Sequence, residues 1–127
     1  MNDTAKPKVL VADDEQVIAN TLATILTASD YEARAVYNGE GVVEMAKTFH
    51  PDVLISDVIM PGKSGIEAAI EVLAMLPGCK ILLFSGQAAT AALLSETNAR
   101  AHGFEVLSKP IHPKDLLAKL HTACAAN

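Results

Sequence analysis

The chain has 127 residues, half of them hydrophobic and a fifth charged, which is enough for one domain with its own core. The formal net charge is −5 and the lysines and arginines are scattered. This argues against direct nucleic-acid binding, which uses a concentrated basic surface. The polar start of the chain and the lack of an apolar run near the roughly 20 residues of a membrane span lead us to expect a cytoplasmic protein without a signal peptide or membrane contact.

Three short apolar runs predict strands in the middle of a sheet, at Val9–Ala12, Val53–Ile55 and Ile81–Phe84. Their apolar residues do not alternate with polar ones, so both faces of each strand should be buried. That is typical of a parallel sheet covered by helices on both sides. Two weaker candidates, Ala33–Val36 and Val106–Leu107, suit the edges of the sheet.

Helical periodicity fills the intervals between the strands. Apolar residues recur three or four positions apart in four stripes: Ile18–Leu26, Val42–Phe49, Ile66–Leu73 and Leu116–Cys124. A fifth segment, Ala88–Arg100, is rich in Ala and Thr and has only two large apolar residues. We therefore predict that it forms a weakly held helix.

Local signals mark some helix ends. Ser64 and Glu67 have the spacing of a capping box that would begin the third helix. Pro77-Gly78 should end that helix, and Pro113 suits the first position of the last one. The overall βαβαβαβαβα order predicts an α/β fold: a flavodoxin-like (βα)5 doubly wound parallel sheet, strand order 2-1-3-4-5, in three α/β/α layers. We expect a single domain over 1–127, with its core between about Lys8 and Cys124.

Polar residues follow four of the predicted strands, and they should lie at the same end of the sheet. They are Asp13-Asp14-Glu15, Asp57, Ser85-Gly86 and Lys109-Pro110. Each has an ordinary interpretation by itself: an aspartate that caps a helix, an acid that opens a turn, a turn serine or a solvated lysine. Their joint occurrence favours a site, because ligands in open α/β sheets bind beyond the carboxyl ends of the strands.

Strands 1 and 3 are neighbours in this order, so their three aspartates should converge. Carboxylates packed together repel one another unless a cation neutralises them, and an all-oxygen set suits Mg²⁺. A phosphoryl group could then occupy an open position on the ion. Lys109 and Ser85 would bind its oxygens, and one carboxylate could act as the nucleophile that forms an acyl phosphate.

Four segments carry a family resemblance. They are Val9–Asp14 (VLVADD), Leu54–Gly65 (LISDVIMPGKSG), Leu83–Gly86 (LFSG) and Leu107–Pro110 (LSKP). Together they resemble the signature segments of receiver domains in two-component signalling, over nearly the whole chain. The resemblance implies a phosphoacceptor and not an enzyme. Asp57 would take a phosphoryl group from a phosphohistidine on a sensor histidine kinase or a histidine phosphotransfer protein.

The resemblance also implies roles for other residues of the site. It implies that Asp14, Asp57 and the backbone carbonyl of Ile59 coordinate Mg²⁺, with Asp13 reaching the ion directly or through water. Ser85 would move toward the phosphoryl group, and Lys109 would pair with one of its oxygens. The resemblance further implies a cis peptide bond between Lys109 and Pro110, and phosphoryl contacts from the turn amides of Ile59 and Gly86.

One position departs from the family pattern. Receivers usually have Tyr or Phe three residues before the lysine, whereas this chain has Val106. Phe104 is predicted on the same strand face, but it is not assumed to substitute. We therefore expect phosphorylation without the usual coupling of an aromatic ring, and a shift of Ala88–Arg100 could replace that coupling. The apolar Ile59 is expected to shield the acyl phosphate from water.

Other interpretations remain open to different degrees. A receiver-like interaction module that is not phosphorylated is the main alternative. A haloacid-dehalogenase-type phosphatase would need an acid where this chain has Ile59, and a nucleotide-binding flavodoxin-like protein would need a phosphate-binding loop after the first strand. The sequence does not identify the output partner, does not exclude a homodimer, and fits both a stand-alone receiver and part of a longer regulator or hybrid kinase.

The cysteines and histidines give no sign of a second site. Cys79 and Cys124 lack a short spacing and are predicted to be reduced, half-buried side chains. The four histidines share no metal-ligand spacing and are predicted at the surface. They are His50, His102, His112 and His121.

Overall fold

A computed structural model describes residues 6–85, 104–108 and 111–125. Strands and helices alternate along them as β1 (Lys8–Ala12), α1 (Gln16–Ala28), β2 (Glu32–Val36), α2 (Gly39–Phe49), β3 (Val53–Asp57), α3 (Gly65–Met75), β4 (Lys80–Ser85), β5 (Glu105–Ser108) and α4 (Pro113–Ala125). The predicted helix at Ala88–Arg100 lies outside the described residues.

The five strands form one parallel sheet in the order β2-β1-β3-β4-β5, which confirms the predicted topology. The weaker candidates, β2 and β5, are its edges. Each strand extends one or two residues beyond its apolar run at one or both ends. Asp57 and Ser85 are therefore the last residues of β3 and β4, where the sequence had placed them just after these strands.

The three central strands are buried on both faces, as their continuous apolar runs predicted. Leu10, Leu54 and Leu83 pack with residues of α2 and α3 on one face of the sheet. Alternate residues of the same strands, such as Val9 and Ile55, pack with α1 and α4 on the other face. Burying each such side chain contributes about 1.5–3 kcal/mol to the stability of the fold. The hydrophobic clusters on the two faces of the sheet therefore hold the strands, and the residues at their ends, in place.

The helix ends agree with the local signals in the sequence. Ser64 and Glu67 form the predicted capping box: the Ser64 hydroxyl accepts from the Glu67 amide at 3.1 Å, and the Glu67 carboxylate accepts from the Ser64 amide at 3.0 Å. Pro113 begins α4, and α3 ends at Met75 before Pro77. Asn38 caps α2 by accepting the Gly41 amide at 2.6 Å.

The two cysteines are free thiols, Cys79 buried and Cys124 half-buried. Burial is the largest of the effects that raise the pKa of Cys79 to about 12. His50, His112 and His121 are exposed, as predicted, and His102 lies outside the described residues. Of the four helices that the structure describes, none has the combined length and apolar character of a membrane span.

Candidate functional site

Three carboxylates meet at the carboxyl end of the sheet. One oxygen from each of Asp13, Asp14 and Asp57 lies within 4.8 Å of the other two. The strand register explains this, because β1 and β3 are paired so that Ala12 lies opposite Ser56. Asp13 is only 1% exposed, Asp57 is half-buried and Asp14 is exposed. The cluster is therefore anchored in the protein on one side and open to solvent on the other.

The β1–α1 connection carries two of these acids in three residues, Asp13 to Glu15. The Asp13 amide donates to the Val36 carbonyl at 3.2 Å, which continues the pairing of β1 with β2. The Asp13 carboxylate accepts the Glu15 amide at 2.9 Å. Glu15 itself is the N-cap residue of α1 and makes no side-chain cap. Neither aspartate occupies the capping position that was the ordinary interpretation of this pair.

The β3–α3 connection, Val58 to Ser64, begins beside the third acid. The Val58 amide donates to the Phe84 carbonyl at 3.1 Å, and the Val58 carbonyl accepts the Gly65 amide at 2.8 Å. A Cβ at Gly65 would overlap the carbonyl oxygen of Asp57. Only glycine thus allows α3 to begin this close to the end of β3. The Ile59 side chain, between two buried neighbours, is 59% exposed.

The far end of the same connection is attached to α2 and α3. Gly62 has a φ of 71°, which favours glycine. The amide of Lys63 donates to the Glu40 carboxylate at 3.2 Å, and its ammonium forms an ion pair with Glu71. This hydrogen-bonded pair, helped by the charges of Glu71, Glu67 and Glu40, raises the pKa of Lys63.

The other predicted site residues belong to β4 and the segment after β5. Ser85 is buried at the end of β4 and is paired with Ser108 of β5. Lys109 is the next residue in the chain, but Lys109, Pro110 and Gly86 lie outside the described residues. The structure thus brings together Asp13, Asp14 and Asp57, with Ser85 one residue beyond the strand pair of Asp57 and Phe84.

Val106, which stands where the family usually has an aromatic residue, and the nearby Phe104 differ in their burial. Val106 lies in β5, where its side chain is 39% exposed. Phe104 precedes β5 and is buried in the core that α2 and α3 cover. Phe104 is therefore already packed in the core, and it is not a solvent-facing ring at the position of Val106.

The donor set fits a hard divalent cation. Carboxylate oxygens are the ligands that Mg²⁺ and Ca²⁺ prefer, and Mg²⁺ is commonly held by one or two carboxylates together with water and phosphate oxygens. The three acids lie close enough to share one ion, and Asp14 keeps the cluster accessible from solvent. Nothing soft or nitrogenous is among the three, which argues against zinc or copper.

The site therefore combines a parallel sheet in the order 2-1-3-4-5 with an acidic cluster at the carboxyl ends of β1 and β3. The response regulator receiver domain profile matches residues 9–121. This chain therefore belongs to the response regulator receiver domain family of two-component systems.

Individual relatives agree with this family. The chain is 32% identical to chemotaxis protein CheY of Thermotoga maritima over 115 residues, covering 90% of this chain and 94% of that protein. It is 24% identical to the DNA-binding response regulator MtrA of Mycobacterium tuberculosis, but spans only 54% of that protein. The solved structure of chemotaxis protein CheY4 of Vibrio cholerae superposes with a TM-score of 0.80 at 27% identity, over 94% of this chain and 99% of that one.

The contact between Glu40 and the β3–α3 connection was not predicted from the sequence. In the sequence, Glu40 is one acid in the first turn of a helix, a place where acids are common. No local pattern distinguishes it from Glu44 one turn later. Only the packing of the α2 N-terminus on the connection reveals the contact.

Proposed function

We propose that this chain is a Mg²⁺-dependent phosphoacceptor that receives a phosphoryl group on Asp57. The observation that carries the proposal is the cluster of three carboxylates within 4.8 Å, with Asp57 at the end of the central strand β3. Asp13, Asp14, Asp57 and the Ile59 carbonyl would hold the ion. When bound, Mg²⁺ supplies positive charge that stabilises phosphoryl oxygens.

The transfer forms one bond and breaks one. A carboxylate oxygen of Asp57 attacks the phosphorus of a phosphohistidine, and an O–P bond forms as the P–N bond breaks. The imidazole nitrogen leaves with the bonding electron pair and takes up a proton from solvent. Ser85 and Lys109 would bind phosphoryl oxygens, since a hydroxyl donates a hydrogen bond and an ammonium supplies positive charge. The chain assists only its own phosphorylation and dephosphorylation, so we do not class it as an enzyme.

Exposed apolar side chains flank the cluster and suit a protein donor. Val17 and Ile18 follow Asp14 by three and four residues at the start of α1, and Ile59 follows Asp57 by two. Val17 is 79% exposed, and Ile18 and Ile59 are also exposed. We propose that a cytoplasmic sensor histidine kinase or histidine phosphotransfer protein docks on these three exposed side chains and so brings its phosphohistidine to Asp57. The output partner stays unassigned.

The first test is intact mass after incubation with Mg²⁺ and acetyl phosphate. We expect the native chain to gain one phosphoryl group, to require Mg²⁺ for it, and to lose the gain in Asp57→Ala. Asp115→Asn, which changes an exposed acid on α4, is the control and should behave like the native chain. A folded native chain that binds Mg²⁺ but gains no mass would instead indicate a receiver-like docking module.

The docking part of the proposal has its own test. Val17→Ser removes the exposed apolar side chain and adds no charge beside the acids. We expect transfer from a phosphohistidine protein to slow about tenfold while phosphorylation by acetyl phosphate keeps its rate, because only the protein donor needs the apolar contact. Equal slowing with both donors would place the effect in the acidic cluster and would contradict docking on α1.

A further inference from the structure

We infer that Glu40, on α2, is a positioning residue for the metal-binding loop. The metal site of the proposed function needs the Ile59 carbonyl, which belongs to the connection Val58–Ser64. Glu40 is outside that connection and is not among the metal ligands. Its carboxylate accepts the backbone amide of Lys63 at 3.2 Å. This inference rests on the proposed function, since it concerns the same site.

Three contacts show that the N-terminus of α2 packs directly on the connection. The Lys63 amide is bound by Glu40. A Cβ at Gly39 would overlap the Lys63 carbonyl, so the helix backbone touches the loop backbone there. A Cβ at Gly62 would lie 2.8 Å from a Glu40 oxygen, so the carboxylate also covers the Gly62 turn. The contact surface thus extends over both residues before Ser64.

The near end of the connection is held by other means. Val58 is bonded to β4 and to the start of α3, and Val58 and Met60 are buried in the core. Ile59 therefore lies between a fixed near end and a far end whose backbone is attached to Glu40. Seven residues without regular structure have many accessible conformations, and attaching both ends reduces that number. Glu40 would in this way limit the positions that the Ile59 carbonyl can take before the ion arrives.

Three variants separate the effect of the Glu40 hydrogen bond from the effect of its negative charge. Glu40→Ala removes both the hydrogen-bond acceptor and the charge. Glu40→Gln removes the charge but keeps an amide oxygen that can accept the Lys63 amide. Glu44→Ala removes an equal charge one turn along α2, where the side chain pairs with Lys47 and not with the connection.

Two measurements on the full chain test the inference without phosphorylation. Amide hydrogen exchange of Lys63 in the metal-free protein should be about tenfold faster in Glu40→Ala, because its acceptor is lost. Calorimetric titration with Mg²⁺ should show a dissociation constant about three- to fivefold higher in the same variant. Glu40→Gln and Glu44→Ala should stay within about twofold of the native chain in both measurements.

Phosphorylation by acetyl phosphate adds a third measurement. Glu40→Ala should require more Mg²⁺ for half of the maximal rate, whereas the rate at saturating Mg²⁺ should equal that of the native chain. Unchanged amide exchange at Lys63 in Glu40→Ala would overturn the inference. It would also be overturned if Glu40→Gln bound Mg²⁺ as weakly as Glu40→Ala, because the loss of a distant charge would then explain the weaker binding by itself. A native chain that binds Mg²⁺ but accepts no phosphoryl group would contradict the proposed function and leave the positioning result intact.

Discussion

The β1–α1 and β3–α3 connections supply acids to the same cluster but are held in different ways. The first has three residues, and the helix after it begins without a side-chain cap. The second has seven residues, and it is bonded to β4, to α2 through Glu40 and to α3 through the Ser64 capping box. A short connection is fixed by the strand and helix that it joins, whereas a long one needs separate anchors.

This difference separates the two kinds of metal ligand that we propose for the site. Asp13 and Asp14 follow β1 directly, so the buried sheet determines where they lie. We propose that the position of the Ile59 carbonyl depends instead on contacts with neighbouring helices, namely the Glu40 hydrogen bond to Lys63 and the capping box of α3. Substitutions in the second connection should therefore alter ligand placement with little direct change in charge, and substitutions in the first should alter charge with little change in placement.

Gly65→Ala should push the start of α3, to which the second connection leads, away from the end of β3, and should give the largest loss of stability. Its Cβ would overlap the Asp57 carbonyl, and a backbone oxygen cannot rotate away. We expect the free energy of unfolding to fall by about 3 kcal/mol or more, measured by urea denaturation. Gly78→Ala is the matched control, because a Cβ there meets nothing within 4 Å. Equal losses in the two variants would show that α3 does not begin this close to Asp57.

Magnesium should stabilise the folded chain through both connections. At a concentration 100 times the dissociation constant, we expect a gain of about 2.7 kcal/mol in the free energy of unfolding. Asp13→Asn should lose most of this gain, because the amide removes a ligand charge but still accepts the Glu15 amide. Thermal unfolding with and without Mg²⁺ measures it. A full gain in Asp13→Asn would exclude Asp13 from the metal site.

Substitutions at the N-cap residues of α1 and α3 should differ by a smaller amount in the free energy of unfolding. Ser64→Ala removes the side-chain cap of α3 and should cost about 1 kcal/mol. Glu15→Ala removes no cap from α1 and should cost less than about 0.5 kcal/mol. Urea denaturation of both variants compares them. If Glu15→Ala were the more costly change, the two connections would not differ in the way described.

Ile59→Asn should have the smallest effect on stability and a distinct kinetic effect. The side chain is exposed, so we expect the free energy of unfolding to change by no more than about 0.5 kcal/mol. The phosphorylated form should lose its phosphoryl group faster, because a polar side chain no longer keeps water from the acyl phosphate. Intact mass followed over time after removal of acetyl phosphate gives the lifetime. An unchanged lifetime would show that Ile59 does not shield the site.

The sequence predicted the sheet well because strands that are buried on both faces have continuous apolar runs, and the three central strands are of this kind. It predicted the strand ends less well. Asp57 and Ser85 are polar, so the apolar pattern stops before the backbone pairing does. The convergence of Asp13, Asp14 and Asp57 was predictable, since it follows from strand order alone.

The support of the site was not predictable in the same way. The contact between Glu40 and Lys63 joins residues 23 positions apart and depends on how closely α2 approaches the loop. That approach depends on the absence of a Cβ at Gly39, which local sequence patterns do not connect with Lys63. The roles of Lys109 and of the segment Ala88–Arg100 stay predictions, because they lie outside the described residues.

The burial of Cys79 has a practical consequence for spectroscopy. Burial raises the pKa of the Cys79 thiol to about 12, so very little of it is ionised at pH 8, and maleimide dyes react with the ionised form. Cys124, half-buried on α4, is the more accessible of the two. A dye added to the unaltered chain should therefore attach mainly to the last helix, which provides a fluorescent reporter of docking without any engineered cysteine.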